Sequence, residues 1–140
     1  MKKLLITTMF LIGLGLVASA CGGSGGASGM AKVAEQKAGD NLTVKISAAE
    51  GKLKHGNQDI LLTFTDGSGK PVEITAASLN FNMPAMGSMA EMNDAATLSS
   101  TSTPGEFSGK VDLQMTGEWI AQISYEGKET GKTTMKVTAY

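Results

Sequence analysis

Residues 42–48 read LTVKISA. Leu42, Val44, Ile46 and Ala48 alternate with Thr43, Lys45 and Ser47. That period of two gives a β-strand one apolar and one polar face, whereas a helix repeats its apolar positions every three or four residues. Further along, Ile60, Leu62 and Phe64 repeat the pattern, and Asp66-Gly67-Ser68-Gly69-Lys70-Pro71 reads as a turn. Val72, Ile74 and Ala76 continue it, after which the phase slips by one: Ala77, Leu79 and Phe81 become the apolar set. A bulge or a change of sheet near Ala76-Ala77 produces such a slip. Phe107, Val111, Leu113 and Met115 form the next set, then Trp119, Ala121, Ile123 and Tyr125, then Met135, Val137 and Ala139. No segment after Asp40 carries a long helical stripe. Six or seven short strands with frequent turns predict an all-β, immunoglobulin-like sandwich over residues 41–140, with a closed barrel as the alternative.

The composition agrees with one folded unit. The chain has 140 residues, 41% hydrophobic and 18% charged, which suits one domain with a core and excludes wholesale disorder. Arginine is absent. Lys2 and Lys3 precede every acidic residue, so beyond residue 20 ten lysines face thirteen acids and the formal charge is −3. Such a chain has no basic footprint for phosphate, and no nucleic-acid partner is expected. One cysteine excludes a disulfide framework or a thiolate zinc cluster, and one histidine, His55, leaves little for a zinc enzyme. No carboxylate pair, nucleophile elbow or phosphate loop appears, so no enzyme activity is expected.

The first twenty residues form an address. Lys2-Lys3 are a positive n-region, residues 4–17 an apolar h-region, and Ala18-Ser19-Ala20 small residues before Cys21. This layout resembles a bacterial lipoprotein signal, with Ala18 where that pattern prefers leucine. The resemblance implies cleavage before Cys21, diacylglycerol on its sulfur and acylation, as with palmitate, of the new amino terminus. Two or more acyl chains anchor stably. The implied location is the extracytoplasmic side of a membrane; ordinary secretion with a free thiol is the alternative. Residues 21–40 then read as anchor and linker: Gly22-Gly23-Ser24-Gly25-Gly26-Ala27-Ser28-Gly29 is a flexible tether, and polar residues 30–40 a helical turn or more linker.

Residues 82–93, NMPAMGSMAEMN, carry the chemistry. Met83, Met86, Met89 and Met92 follow one another at intervals of three. On a helix this would be a stripe, but Pro84 and Gly87 oppose a helix across the run. A turn or short helical bend at the end of a strand would bring several thioethers to one edge of the sandwich. Thioethers are soft donors that select cuprous copper, and they have no proton to lose in acid. The other reading is packing or a protein-binding surface, since methionine fills gaps and adapts to partners.

The stretch MPAMGSM, with Gly105-Glu106-Phe107, Met115-Thr116-Gly117-Glu118-Trp119 and the Gly69-Lys70-Pro71-Val72 turn, resembles the YtkA-like domain, related to the FixH group. The resemblance covers roughly residues 42–140. It implies an extracytoplasmic immunoglobulin-like sandwich associated with copper handling or with assembly of copper-containing respiratory oxidases. Where members often carry histidine after the Met-Gly pair, this chain has Ser88. A thioether site for Cu(I) with Met83, Met86 and Met89 as its ligands is what the resemblance then implies, and the methionine run adds Met92 as a candidate. A copper-dependent oxidase or copper transporter is the implied partner; an assembly module that binds no metal is the alternative.

His55 lies in Gly51-Lys52-Leu53-Lys54-His55-Gly56, a loop between strands. It reads as solvated, or as a copper ligand from the opposite end of the sandwich, and Met115 is a further candidate. Trp119 reads as core rather than as a face for a cation. Glu91 and Asp94 read as solvated neighbours of the loop, and Ser99-Ser100-Thr101-Ser102-Thr103 as a polar connection.

Overall fold

Alternating side chains cover two β-sheets packed face to face. The computed structural model describes residues 29–140. Among these there are nine strands and no helix: β1 (Met30–Lys37), β2 (Leu42–Ala49), β3 (Gly56–Asp66), β4 (Ile74–Met83), β5 (Met92–Ala95), β6 (Thr97–Ser100), β7 (Glu106–Leu113), β8 (Gly117–Gly127) and β9 (Gly131–Ala139). One sheet runs β1-β2-β3-β7-β6 and the other β5-β4-β8-β9, with every adjacent pair antiparallel. Strands β2, β3, β7 and β6 thus take the A-B-E-D order of an immunoglobulin sheet, and β4, β8 and β9 take C-F-G. Residues 1–20, read above as a lipoprotein signal, Cys21 and the Gly/Ser run to Ser28 lie outside the described residues.

The core follows the period-two sets. Leu42, Val44, Ile46, Ile60, Leu62, Phe64, Val111 and Leu113 from the first sheet meet Leu79, Phe81, Trp119, Ala121, Ile123 and Val137 from the second, all buried. Each fully buried large apolar side chain contributes about 1.5–3 kcal/mol. Phe64 stands edge-on to Phe107, ring centroids 6.1 Å apart, and tilts against Tyr125 at 5.4 Å. The phase slip is a bulge. Ile74 pairs with Gly127 and Ala76 with Glu126, which leaves Thr75 as the extra residue. Its hydroxyl donates to the Glu126 carbonyl at 2.9 Å.

Three strands depart from the sequence reading. Residues 30–37, read as helical turn or linker, form β1, so the folded unit starts near residue 30 rather than 41. Only Val33 and Ala34 of its middle pack on the core, so no apolar alternation marks it. β5 and β6 have four residues each and no periodic signal; together with β1 they bring the count to nine, against the six or seven expected. They form one run that changes sheets at Ala96, and β6 includes Ser99 and Ser100 from the stretch read as a connection.

Strand directions sort the connections into two ends. At one end lie residues 38–41, 67–73, 101–105 and 128–130; at the other lie 50–55, 84–91 and 114–116, with the start of β1 and the finish of β9. At the first end Asp66 Oδ1 accepts from the Ser68 hydroxyl at 2.6 Å, the Lys70 N–H at 3.0 Å and the Ser68 N–H at 2.8 Å. The Ser68 hydroxyl, then these backbone donors, hold its carboxyl below the ordinary aspartate range. The charged form is the bonded one, so this turn stabilises the fold above the unfolded-state pKa and ceases to as pH falls through the depressed native value. An NMR titration should place the Asp66 midpoint below that of aspartate in an unstructured peptide. An unshifted midpoint would show that the turn is open in solution.

Candidate functional site

The methionine run folds as a hairpin. The β4–β5 ladder ends with Met83 opposite Met92. Residues 84–85 and 90–91 leave the ladder, and the strands then rejoin for one pair: the Met86 N–H donates to the Met89 carbonyl at 3.1 Å and the Met89 N–H to the Met86 carbonyl at 2.9 Å. Gly87-Ser88 is the two-residue loop between them. Gly87 has φ +58° and Ser88 has no positive φ, the signature of a type II′ turn with glycine first. An interval of three in sequence has become two cross-strand pairs, Met83/Met92 and Met86/Met89. Directly opposite residues hold their Cβ atoms about 5 Å apart, close enough for two flexible thioethers to converge.

Burial divides these pairs. Met83 is 4% exposed and belongs to the core, and Met92 is half-buried against it. Met86 is 63% and Met89 40% exposed. Met115 is half-buried in the 114–116 connection. His55 is exposed, with its N–H bonded to the Tyr140 carbonyl at 3.0 Å. It belongs to the same end as the hairpin, not the opposite one. Gly56 pairs with Leu113 at the finish of β7, and β7 leads through Met115 to Gly117 beside Met83. Reading loops in sequence order hides this, because the end is set by strand direction.

A surface groove of about 150 Å³ runs between Met83, Pro84 and Met86 on one side and Glu118, Trp119, Ile120 and Lys136 on the other. The geometry of residues 115–119 beside it explains the Met-x-Gly-x-Trp spacing. The Met115 carbonyl accepts the Trp119 indole N–H at 3.1 Å, so the fully buried ring has its polar atom satisfied. Gly117 turns the chain at φ +130°, and a Cβ there would stand 3.3 Å from the Met83 methyl carbon. Trp119 is core, as its place in the alternation implied.

Polar side chains brace the hairpin, and the sequence reading missed them. The Asn82 amide donates to a Glu91 carboxylate oxygen and, at 3.0 Å, to Asn93 Oδ1. Asn80 donates to the same Asn93 oxygen at 3.1 Å and to Gln122 Oε1 at 3.3 Å. Asp94, read as solvated, is buried and accepts from the Gln114 N–H at 3.0 Å and Nε2 at 3.3 Å, which ties β5 to the connection after β7. Asp94→Ala should cost about 1.5–3 kcal/mol by urea unfolding, the range for hydrogen bonds to a charged group. A cost near zero would mean that water replaces it freely.

Among the described residues, no three His, Cys, Asp or Glu side chains gather as a metal-binding group. The soft donors at this end are thioethers. In comparison with known proteins, the model of the YtkA-like family matches residues 36–124, from the finish of β1 into β8. Comparison with curated proteins and with solved structures finds no match. The matched span takes in the hairpin, the 114–116 connection and Trp119, and so every groove residue except Lys136 on β9. By that match over most of its length, the chain belongs to the YtkA-like family.

Proposed function

We propose that this protein is a lipid-anchored, extracytoplasmic carrier or buffer of cuprous copper, with Met86 and Met89 as the exposed ligands. The observation that carries this reading is the pairing of two exposed thioethers across a two-residue turn. A methionine recruited for packing is expected to be buried, as Met83 is; Met86 and Met89 are held in register and left to solvent. Neutral thioethers favour Cu(I) over hard ions and keep their affinity in acid, where imidazole or thiolate donors take up protons. The association of YtkA-like domains with copper handling supports the reading, and the signal pattern before Cys21 supports the anchor. No catalytic role is proposed.

The second reading is an assembly module that binds no metal and uses the same methionines to contact a membrane complex. Competition with a cuprous chelator under reducing conditions separates the two. Wild-type protein should withdraw Cu(I), and Met86→Leu with Met89→Leu should lose at least tenfold in affinity. Leucine conserves volume, so the fold should lose under about 1.5 kcal/mol per site. A wild-type protein that never competes would overturn the copper reading in favour of the assembly one. Undiminished binding by the double variant would move the site to Met92, Met115 or His55.

A further inference from the structure

Beyond copper, the topology orients the molecule. Met30 pairs with Ala49 at the start of β1, and the Gly29 carbonyl accepts the Glu50 N–H at 3.2 Å. The chain coming from Cys21 therefore joins the fold at the end that carries the methionine hairpin, the His55 loop and Tyr140. Gly29 follows Cys21 by eight residues, which reach at most about 29 Å even when fully extended. The opposite end lies farther off by the length of the eleven-residue β8, about 36 Å.

A second observation falls on the same end. Among the described residues, the exposed large hydrophobic side chains are Met86, Met89 and Tyr140, the last 65% exposed, and all three stand here. The charges at this end show no lysine excess: Lys32, Lys52, Lys54 and Lys136 stand among Glu50, Glu91, Asp94, Asp112 and Glu118, with Lys54 and Glu50 paired at 3.0 Å. Lys52 lies over the Tyr140 ring, 5.4 Å from its centroid. A membrane surface attracts polybasic segments, and a set without lysine excess gains little from anionic headgroups. Exposed apolar side chains among charges of both signs fit a protein surface instead.

We propose that the methionine end is the membrane-proximal face of the domain and docks on an integral-membrane protein exposed within about 30 Å of the bilayer. The proposal rests on lipidation of Cys21 as proposed above and is independent of copper binding. The first test uses the full, processed protein in phosphatidylethanolamine/phosphatidylglycerol vesicles containing a rhodamine-headgroup lipid. A donor dye on Ser88→Cys should transfer at least twice as efficiently as one on Ser68→Cys or Ser102→Cys. Equal or reversed transfer would overturn the orientation.

The second test places a benzophenone amino acid at Met89 or at Ser102 in cells. Met89 should give an adduct with an alkali-resistant membrane protein, and Ser102 should not. Inserting twenty Gly/Ser residues after Ser28 should cut that adduct about sixfold, because effective concentration falls with tether length to the −3/2 power. Adducts with lipid alone, equal adducts from both positions, or no effect of the insertion would overturn the docking partner. The mass of the mature protein keeps the failures apart. A protein without acyl chains overturns the anchor and this orientation together, whereas an acylated protein with equal transfer overturns the orientation alone.

Discussion

Trp119→Ala is expected to remove about 3–5 kcal/mol of stability, the range for deleting a large aromatic from a packed core. The indole is fully buried on β8 in the core, and Trp119 is among the residues that line the groove with Met83 and Met86. Its deletion leaves a cavity and also strips the Met115 carbonyl of its donor at 3.1 Å. Trp119→Phe keeps most of the packing and loses the N–H, so it should cost distinctly less. Urea unfolding of both variants measures the difference, and the alanine variant should also lose order in the hairpin above the cavity. A cost below about 1 kcal/mol for alanine would mean that neighbouring side chains collapse into the space, against the usual partial relaxation of cores.

Gly105→Ala is expected to be comparably severe for a different reason. Gly105 has φ +69°, and an added Cβ would collide with the Val72 carbonyl oxygen and stand 3.0 Å from the Phe64 carbonyl oxygen. Neither obstacle is a side chain that can swing away. The Gly105 carbonyl also accepts the Phe64 N–H at 2.7 Å, so retreat of the loop breaks a bond to β3. Left-handed strain costs about 1–2 kcal/mol and overpacking about 1–3, together about 2–5 kcal/mol. In a domain of this size the melting temperature should fall by about 10 °C or more. Gly56→Ala makes the control: its φ is +96° but nothing stands within 4 Å of the added carbon, so the strain acts alone. Equal losses at the two positions would rule out the backbone collision as the cause.

Much of the sandwich was legible because one face of each long strand meets the core. Leu42 to Ala48 on β2 and Trp119 to Tyr125 on β8 show that alternation plainly, and the slip near Ala76 marked a real bulge one residue earlier. Met30 to Lys37 was not legible: its Ala, Lys, Glu and Gln are common helix formers, and β2 supplies the ladder that makes it a strand. The methionine spacing suggested thioethers gathered at one edge. Only the Gly87 turn sets the register that leaves Met86 and Met89 outside and Met83 within. Asp94 and Asn82 carry no sequence signal of burial, because their partners Gln114, Glu91 and Asn93 become neighbours only after the sheets form.

The sheet switch at Ala96 has a consequence for how copies of the molecule meet. Because one run of chain supplies the outer strand of both sheets, each outer strand there has only four residues, about 13 Å, and the part of β4 that β5 leaves uncovered, Ile74 to Ser78, is broken by the bulge at Thr75. Cross-β stacking uses segments of about six or seven residues, so neither short border is long enough to template a growing fibril. On the opposite flank β1 lies alongside β9, and β1 is broken by a bulge at Val33. This layout lets copies of the domain meet side to side with little open strand edge to pair through.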